Sequence, residues 1–374
     1  MIRLMSFNLN AICPYFTMFP LDFPMSVLET YCNKIQNHWV LDPFCGRGTT
    51  NFAARIYGLP SIGIDSSPVA VALTKAKIIN VRVNQILQVA EKILSQQEVS
   101  NIPKGEFWEY AYDQEVLVNI CKIREALLKN CDSAARIALR AIMLGALHGP
   151  MYNTSPSYFS NQCPRTYAPK PAYAVRFWKE RKLMPPKVDV MSIIKKRAER
   201  YYGQDLPKGY GFVIRGDSTS DKTFIRLKKF LDKSNAKVSI IITSPPYYGM
   251  KTYIADQWLR NWFLGGPETV DYSTEGQISH SSKEIFINEL RKVWNNVAEV
   301  SIKGAILAVR FGGINERKVD PEELIKESLK ETAWEIMEVK SAGFPKKGRR
   351  QADTFSKSKK EMIEEVDIIA FKRS

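Results

Sequence analysis

Metal-binding side chains are scarce in this sequence and show no pattern. Its 374 residues include three histidines and six cysteines (Cys13, Cys32, Cys45, Cys121, Cys131 and Cys163), with no Cys-x-x-Cys spacing. A structural zinc site needs clustered ligands and a disulfide scaffold needs dense cysteine, so neither is expected, and no metal site is assigned. Long apolar runs are also missing, and the amino terminus lacks a basic stretch followed by an apolar core. The expectation is an intracellular, cytoplasmic protein with no membrane partner.

Acidic residues fall short of basic ones, 39 against 54, giving a net charge of +15 and a pI near 9.4. The excess is localised. Between Arg165 and Lys208, 12 basic residues face 4 acidic ones; between Gly343 and Lys360, 7 face 1, so these two segments hold 14 of the 15 net charges. A single run of this kind is commonly a solvated face. Two runs in an otherwise neutral chain point to a polyanion, and so to a nucleic-acid groove.

The most informative stretch is Ile240-Ile241-Ile242-Thr243-Ser244-Pro245-Pro246-Tyr247-Tyr248. Three isoleucines in a row predict a strand buried on both faces, ending in a rigid polar turn followed by aromatic rings. Proline fixes φ and has no amide hydrogen, so the Ser244 and Pro245 carbonyls can face a cleft. With a ring beside them, such acceptors suit a planar group bearing an exocyclic amine. A proline-terminated core strand is the alternative reading.

A second strand, Trp39-Val40-Leu41, leads into Asp42-Pro43-Phe44-Cys45-Gly46-Arg47-Gly48-Thr49-Thr50 and then a helix through Ala53 and Ala54. Gly46 and Gly48 allow close approach of backbone to a ligand, and the helix amino terminus adds oriented N–H donors. About twenty residues on, the strand Ser61–Asp65 ends in an acid, where a doubly wound sheet grips a ribose. The third glycine of a dinucleotide fingerprint is absent, its place taken by Asn51. A strand Phe212-Val213-Ile214 ending in Gly216-Asp217 precedes the isoleucine strand, and Asp217 reads equally as a turn-forming residue.

Together these motifs resemble the amino-methylating DNA methyltransferases, whose catalytic motif is (Ser/Thr/Asp/Asn)-Pro-Pro-(Tyr/Phe). The Thr-Ser-Pro-Pro-Tyr form looks like the branch acting on cytosine N4; the Asp or Asn form is more usual for adenine N6. The resemblance implies S-adenosylmethionine as cofactor, held by Phe19, Asp42, Phe44, Gly46, Gly48, Thr49, Asp65 and Asp217. Asp42 would take the methionine ammonium, Asp65 the ribose, Asp217 the adenine amine, and Phe19 would close over the methionine. It also implies catalysis through Ser244, Pro245, Pro246 and Tyr247 by direct transfer to a flipped-out base of double-stranded DNA. A prokaryotic restriction-modification setting, with a cognate restriction endonuclease as partner, comes with the same resemblance. Carbon-5 methylation in related enzymes uses a Pro-Cys nucleophile, and that dipeptide does not occur here. Read from the residues alone, Phe19 is also an ordinary core residue and Asp42 a turn cap. Adenine N6 methylation, RNA amine methylation and a non-catalytic nucleic-acid-binding module remain as alternatives.

The implied fold is α/β: a doubly wound, Rossmann-like methyltransferase sheet with a closing antiparallel strand, interrupted by a largely helical insertion. The divisions are 13–80 for the cofactor-binding part, 81–208 for target recognition and 209–374 for the catalytic part. Helical spacing predicts helices from Pro24 to Lys34, Pro68 to Ile79, Val83 to Gln97, Asp113 to Lys129, Ser133 to Leu147, Asp189 to Tyr202 and Glu284 to Ser301. Trp334–Val339 and Val366–Phe371 read as the closing antiparallel pair. His148 to Pro186 reads as an irregular, basic and aromatic segment, and Gln257 to Leu264 as a short aromatic helix that walls a base pocket or fills the core. DNA contacts are expected from Arg165, Lys170, Arg176, Lys195, Lys196, Arg197, Lys346, Lys347, Arg349 and Arg350.

Overall fold

The computed structural model describes residues 8–15, 19–32, 39–96, 98–149, 156–160, 170–248, 255–272, 278, 282–312, 319–343 and 364–373. Short strands rich in Val, Ile and Leu pair in parallel: β1 (Trp39–Asp42), β2 (Ser61–Asp65), β3 (Gly211–Arg215), β4 (Val238–Thr243) and β5 (Ser301–Phe311). β6 (Trp334–Gly343) and β7 (Glu365–Lys372) close the sheet, which runs β3-β2-β1-β4-β5-β7-β6 with β7 antiparallel to both neighbours. This is the doubly wound α/β sheet expected, with its antiparallel closing strand.

Helices cover both faces, and the isoleucine run explains how. Ile240 and Ile242 point to one side with Val40, Ile306 and Ala308, against Phe23, Val27 and Leu28 of α1 (Asp22–Tyr31) and Ala53 and Ala54 of α2 (Thr49–Ile56). Ile241 points to the other with Leu41 and Leu307, its register partners. There it meets α10 (Asp221–Ser234), α12 (Lys283–Val300) and α13 (Pro321–Leu329) through Leu227, Val293 and Ile325. Period-two alternation thus buries every residue of β4, at roughly 1.5–3 kcal/mol per fully buried aliphatic side chain. α3 (Pro68–Ile78) follows β2 and completes the first part of the sheet unit.

The chain forms two compact units. The sheet unit holds 16–78, 207–252 and 274–374; a helical unit holds 1–15, 79–206 and 253–273. The helical unit contains α4 (Val83–Gln96), α5 (Glu106–Ala111), α6 (Gln114–Lys129), α7 (Ala134–Ala146), α8 (Pro171–Glu180), α9 (Val190–Tyr202) and α11 (Trp258–Phe263). Side chains cap several of them: Asp113 accepts from the amides of Glu115 and Val116, Ser133 from Arg136, and Asp189 from Met191. An aromatic core joins α5, α8 and α11, with Phe107 4.8 Å from Trp258 and Trp108 4.5 Å from Trp262. The 257–264 stretch is therefore core of this unit. α8 is a helix inside the stretch read as irregular, started by Pro171 in its first turn.

Candidate active site

Parallel strands end at one edge of a doubly wound sheet, and that edge is where such folds bind ligands. Here the carboxyl ends of β1 and β4, hydrogen-bonded neighbours, bring the Asp42 and Ser244 turns together. Two hydroxyls tie them. Thr243 Oγ1 donates to Asp42 Oδ1 at 2.7 Å, and Thr50 Oγ1 donates to the Ile242 carbonyl at 3.1 Å. Ser218, beside the Gly216-Asp217 turn, donates to the Pro43 carbonyl at 2.5 Å, so the third motif is fastened to the first.

The β1–α2 turn is built on positive φ. Gly46 has φ 50° and Gly48 φ 77°, with Gly48 as the amino cap of α2. A Cβ on Gly48 would lie 2.7 Å from Thr74 Oγ1 and 2.9 Å from Thr74 Cα. Its bareness thus serves close packing against α3. The Gly46 amide donates to Asp65 Oδ2 at 2.9 Å, and Thr74 Oγ1 donates to the Gly46 carbonyl at 3.1 Å. Thr49 is buried at the first position of α2, while Phe44 is half-buried against the core.

Both acids of this turn are held above the usual carboxylate range. Burial pushes Asp42 up to about 6, opposed by hydrogen bonds from Thr243 and the Phe44 amide and reinforced by the charge of Asp65. Burial likewise pushes Asp65 up to about 6, against donors from Ser67 and Gly46. Asp42 Oδ2 is buried with no hydrogen-bond partner among the described residues. An orphaned, desolvated carboxylate oxygen calls for a cationic or strongly polar donor, and an ammonium group fits that requirement.

The Ser-Pro-Pro-Tyr residues sit at the end of β4: Ser244 and Pro246 half-buried, Pro245 and Tyr247 buried. Tyr247 packs edge-on against Phe311 with centroids 5.4 Å apart, and its hydroxyl donates to Glu365 Oε1 at 2.5 Å. Tyr247 is 8% exposed and Glu365 7%. Gly312 makes room for the pair, since a Cβ there would come within 3.1 Å of both side chains. Glu365, Thr243, Thr50, Thr74 and Ser218 were not anticipated from sequence. Thr243 stood inside the motif; Glu365 lies 118 residues from Tyr247 and meets it only because β7 begins where β5 ends.

Asp217 is exposed and accepts from the Thr219 amide and hydroxyl at 2.8 and 2.9 Å, an Asx turn. Phe19 packs edge-on against Phe23, 5.6 Å away, beside the α1–α2 core. In the helical unit Lys170, Arg176, Lys195 and Lys196 are exposed. Arg197 departs from the expectation of a phosphate-facing group. It is 7% exposed, its Nε donates to the Ser157 carbonyl at 2.8 Å, and its guanidinium lies 4.6 Å from the Tyr158 ring centre. It serves the packing of its own unit because it falls on the buried stripe of α9, with Ile193, Ile194, Ala198 and Tyr201. Arg165, Lys346, Lys347, Arg349 and Arg350 lie outside the described residues. Among the described residues no His, Cys, Asp or Glu cluster could hold a metal ion, and no helix is long and apolar enough to cross a membrane.

Residues 8–76 match the model of a family described as DNA methylase, of the N6/N4 type. No curated protein matches the sequence. Among solved structures, the chain is similar to rRNA methyltransferase aviRa from Streptomyces viridochromogenes. The alignment covers 98% of this chain and 93% of that one at 12% identity, with a TM-score of 0.36. A second structure of the same enzyme gives equal coverage and identity with a TM-score of 0.34. Likenesses at those scores carry no weight for the chemistry.

Proposed function

We propose that the chain, whose residues 8–76 match the model of a family described as DNA methylase, is a DNA methyltransferase that modifies the exocyclic N4 of cytosine. The observation that carries this reading is the 2.7 Å bond from Thr243 to Asp42, which joins the Ser244-Pro245-Pro246-Tyr247 turn to the cofactor turn across adjacent strands. S-adenosylmethionine, when bound, supplies an electrophilic methyl group carried on sulfur. Asp42 would hold its ammonium, Asp65 its ribose hydroxyls and Asp217 its adenine amine, with Phe44, Gly46, Gly48 and Thr49 shaping the turn and Phe19 covering the methionine end.

The amine nitrogen of a nucleobase is a poor nucleophile because its lone pair is shared with the ring. Ser244 Oγ and the Pro245 carbonyl would accept its two hydrogens and favour the pyramidal nitrogen that attack requires. The base would have to leave the duplex stack to reach them, and Tyr247 would take its face. Tyr247 is largely covered, so a base could lie on it only by displacing part of what covers it. The helical unit would recognise the target, with Lys170, Arg176, Lys195 and Lys196 toward phosphates. A restriction-modification role, with a cognate endonuclease, accords with such an enzyme.

Adenine N6 is the second reading, because the matched family spans both chemistries. Incubation of purified protein with S-adenosylmethionine and plasmid, followed by nucleoside digestion and mass analysis, tests both. N4-methylcytosine supports the proposal, and N6-methyladenine replaces it with the second reading. Transfer to RNA but not to duplex DNA would defeat both readings.

A further inference from the structure

We propose that the outward face of α8 binds unpaired nucleotides of DNA, with Tyr173 and Phe177 stacking on bases and Arg176 and Arg181 taking the adjoining phosphates. Of these residues only Arg176 has a role in the reading above, as a phosphate contact; the rings and Arg181 have none. The proposal rests on the DNA reading above for its choice of polyanion.

α8 is anchored from behind. Ala174, Val175 and Trp178 are buried, the Trp178 ring lies 5.6 Å from Phe107, and Lys179 pairs with Glu106. Residues 173, 176 and 177 therefore fall on the solvent side by helical spacing. Tyr173 is 44% exposed, and its ring lies 6.4 Å from that of Phe177 at an interplanar angle of 26°. Each ring has a guanidinium over it: Arg176 at 5.9 Å from the Tyr173 centre and Arg181 at 4.0 Å from that of Phe177. Beside the helix amino terminus, Lys170 lies 5.3 Å from the ring of Tyr272, which is 66% exposed.

Ring surface left in water costs free energy, and Tyr173, exposed, and Phe177, half-buried, are aligned with cations attached. Among the described residues Arg176 has no acidic partner and Arg181 has one, Glu180, at 3.7 Å on an exposed surface. The surrounding segment carries a net charge of +8 between Arg165 and Lys208. Rings in series with fixed cations match alternating base faces and phosphates. A paired duplex hides its base faces in its own stack, so the complementary form of DNA is one with bases unstacked, such as a distorted or single strand. An acidic protein surface would satisfy the cations but would leave the rings unmatched.

The test is fluorescence anisotropy of full-length protein with a labelled mixed-sequence single strand and with its duplex, over a range of salt. Tyr173→Leu/Phe177→Leu keeps apolar bulk and removes the ring faces. It should weaken single-strand binding by about tenfold or more while leaving duplex binding within about twofold. Arg176→Gln/Arg181→Gln should weaken binding to both forms and flatten the single-strand salt dependence by about 0.7 per arginine in log–log slope. Unchanged single-strand affinity in the leucine variant, or equal losses on both forms, overturns the proposal. So does a change in sedimentation with DNA binding intact, which would make the face a contact between copies of this chain. If the leucine variant does not fold, the arginine variant decides: an unaltered salt slope overturns the proposal. Methyl transfer by the parent protein is followed in parallel. Its absence would sink the enzymatic reading without touching this one, while active parent and unaffected variants would sink this one alone.

Discussion

Replacing Thr243 by valine removes one hydroxyl and keeps the shape of the side chain. That hydroxyl supplies the largest single contribution holding down the pKa of Asp42, whose burial already lifts it to about 6. A hydrogen bond to a charged group is worth about 1.5–3 kcal/mol, and one pKa unit is about 1.4 kcal/mol. Its loss should therefore carry Asp42 up by about one to two further units. In the proposed role Asp42 takes the cofactor ammonium, and for that it must be ionised. Affinity for S-adenosylmethionine should thus fall with pH below about 6 in the parent protein, and below about 7 to 8 in Thr243→Val. Near neutral pH the variant should bind about two- to tenfold more weakly, in proportion to the ionised fraction of Asp42. Calorimetric titration between about pH 5 and 8 reads both midpoints, and the cofactor's own amine imposes the same alkaline limb on each protein. A variant whose acid midpoint matches the parent's, or lies below it, would refute the assignment of Asp42.

Further outcomes follow from the same geometry. Asp42 and Asp65 have folded pKa values above their unfolded ones, so each costs stability as pH rises from about 4 to 6, and the cost persists above that range. Asp42→Asn should therefore melt higher than the parent above about pH 7 while losing cofactor binding; a lower melting point there contradicts the desolvation argument. Tyr247→Phe and Glu365→Gln should each lower kcat with little change in the Michaelis constant for DNA. Combined they should do no more than either alone, a coupling of about 1–2 kcal/mol; additive losses would show that the bond between them does not serve transfer. Gly48→Ala meets both a positive φ, at roughly 1–3 kcal/mol, and the body of Thr74, so thermal denaturation should show a drop of several degrees. Arg197→Ala should destabilise the protein in the same assay, whereas Lys195→Ala should leave stability unchanged and weaken DNA binding.

What could be read directly from the chain was local. A triplet of isoleucines running into Ser-Pro-Pro-Tyr, and Leu41-Asp42-Pro43 running into two glycines, each specify a buried strand and the turn that follows it. The sheet places them side by side, as parallel crossovers dictate. The contacts between motifs were not legible. Nothing near Tyr247 announces Glu365, because strand register alone brings the start of β7 to that ring. Two glycines in a turn point to close approach of a ligand; that the space a Gly48 side chain would need is taken by Thr74 is visible only in the fold. Charge alone marks Arg197 as a phosphate contact, whereas its spacing from Ile193, Ala198 and Tyr201 puts it on an apolar stripe. α8 was hidden by composition: a stretch rich in proline and tyrosine reads as irregular, and only Pro171 marked a helix start.

The claim that Ser244 and Pro245 hold the amine of a cytosine while its nitrogen takes the methyl is tested most directly by mass analysis of nucleosides from duplex DNA treated with parent and Ser244→Ala proteins matched for cofactor binding. The account predicts N4-methylcytosine from the parent and a loss of about a hundredfold or more in the variant. Equal N4-methylcytosine from both proteins would contradict it.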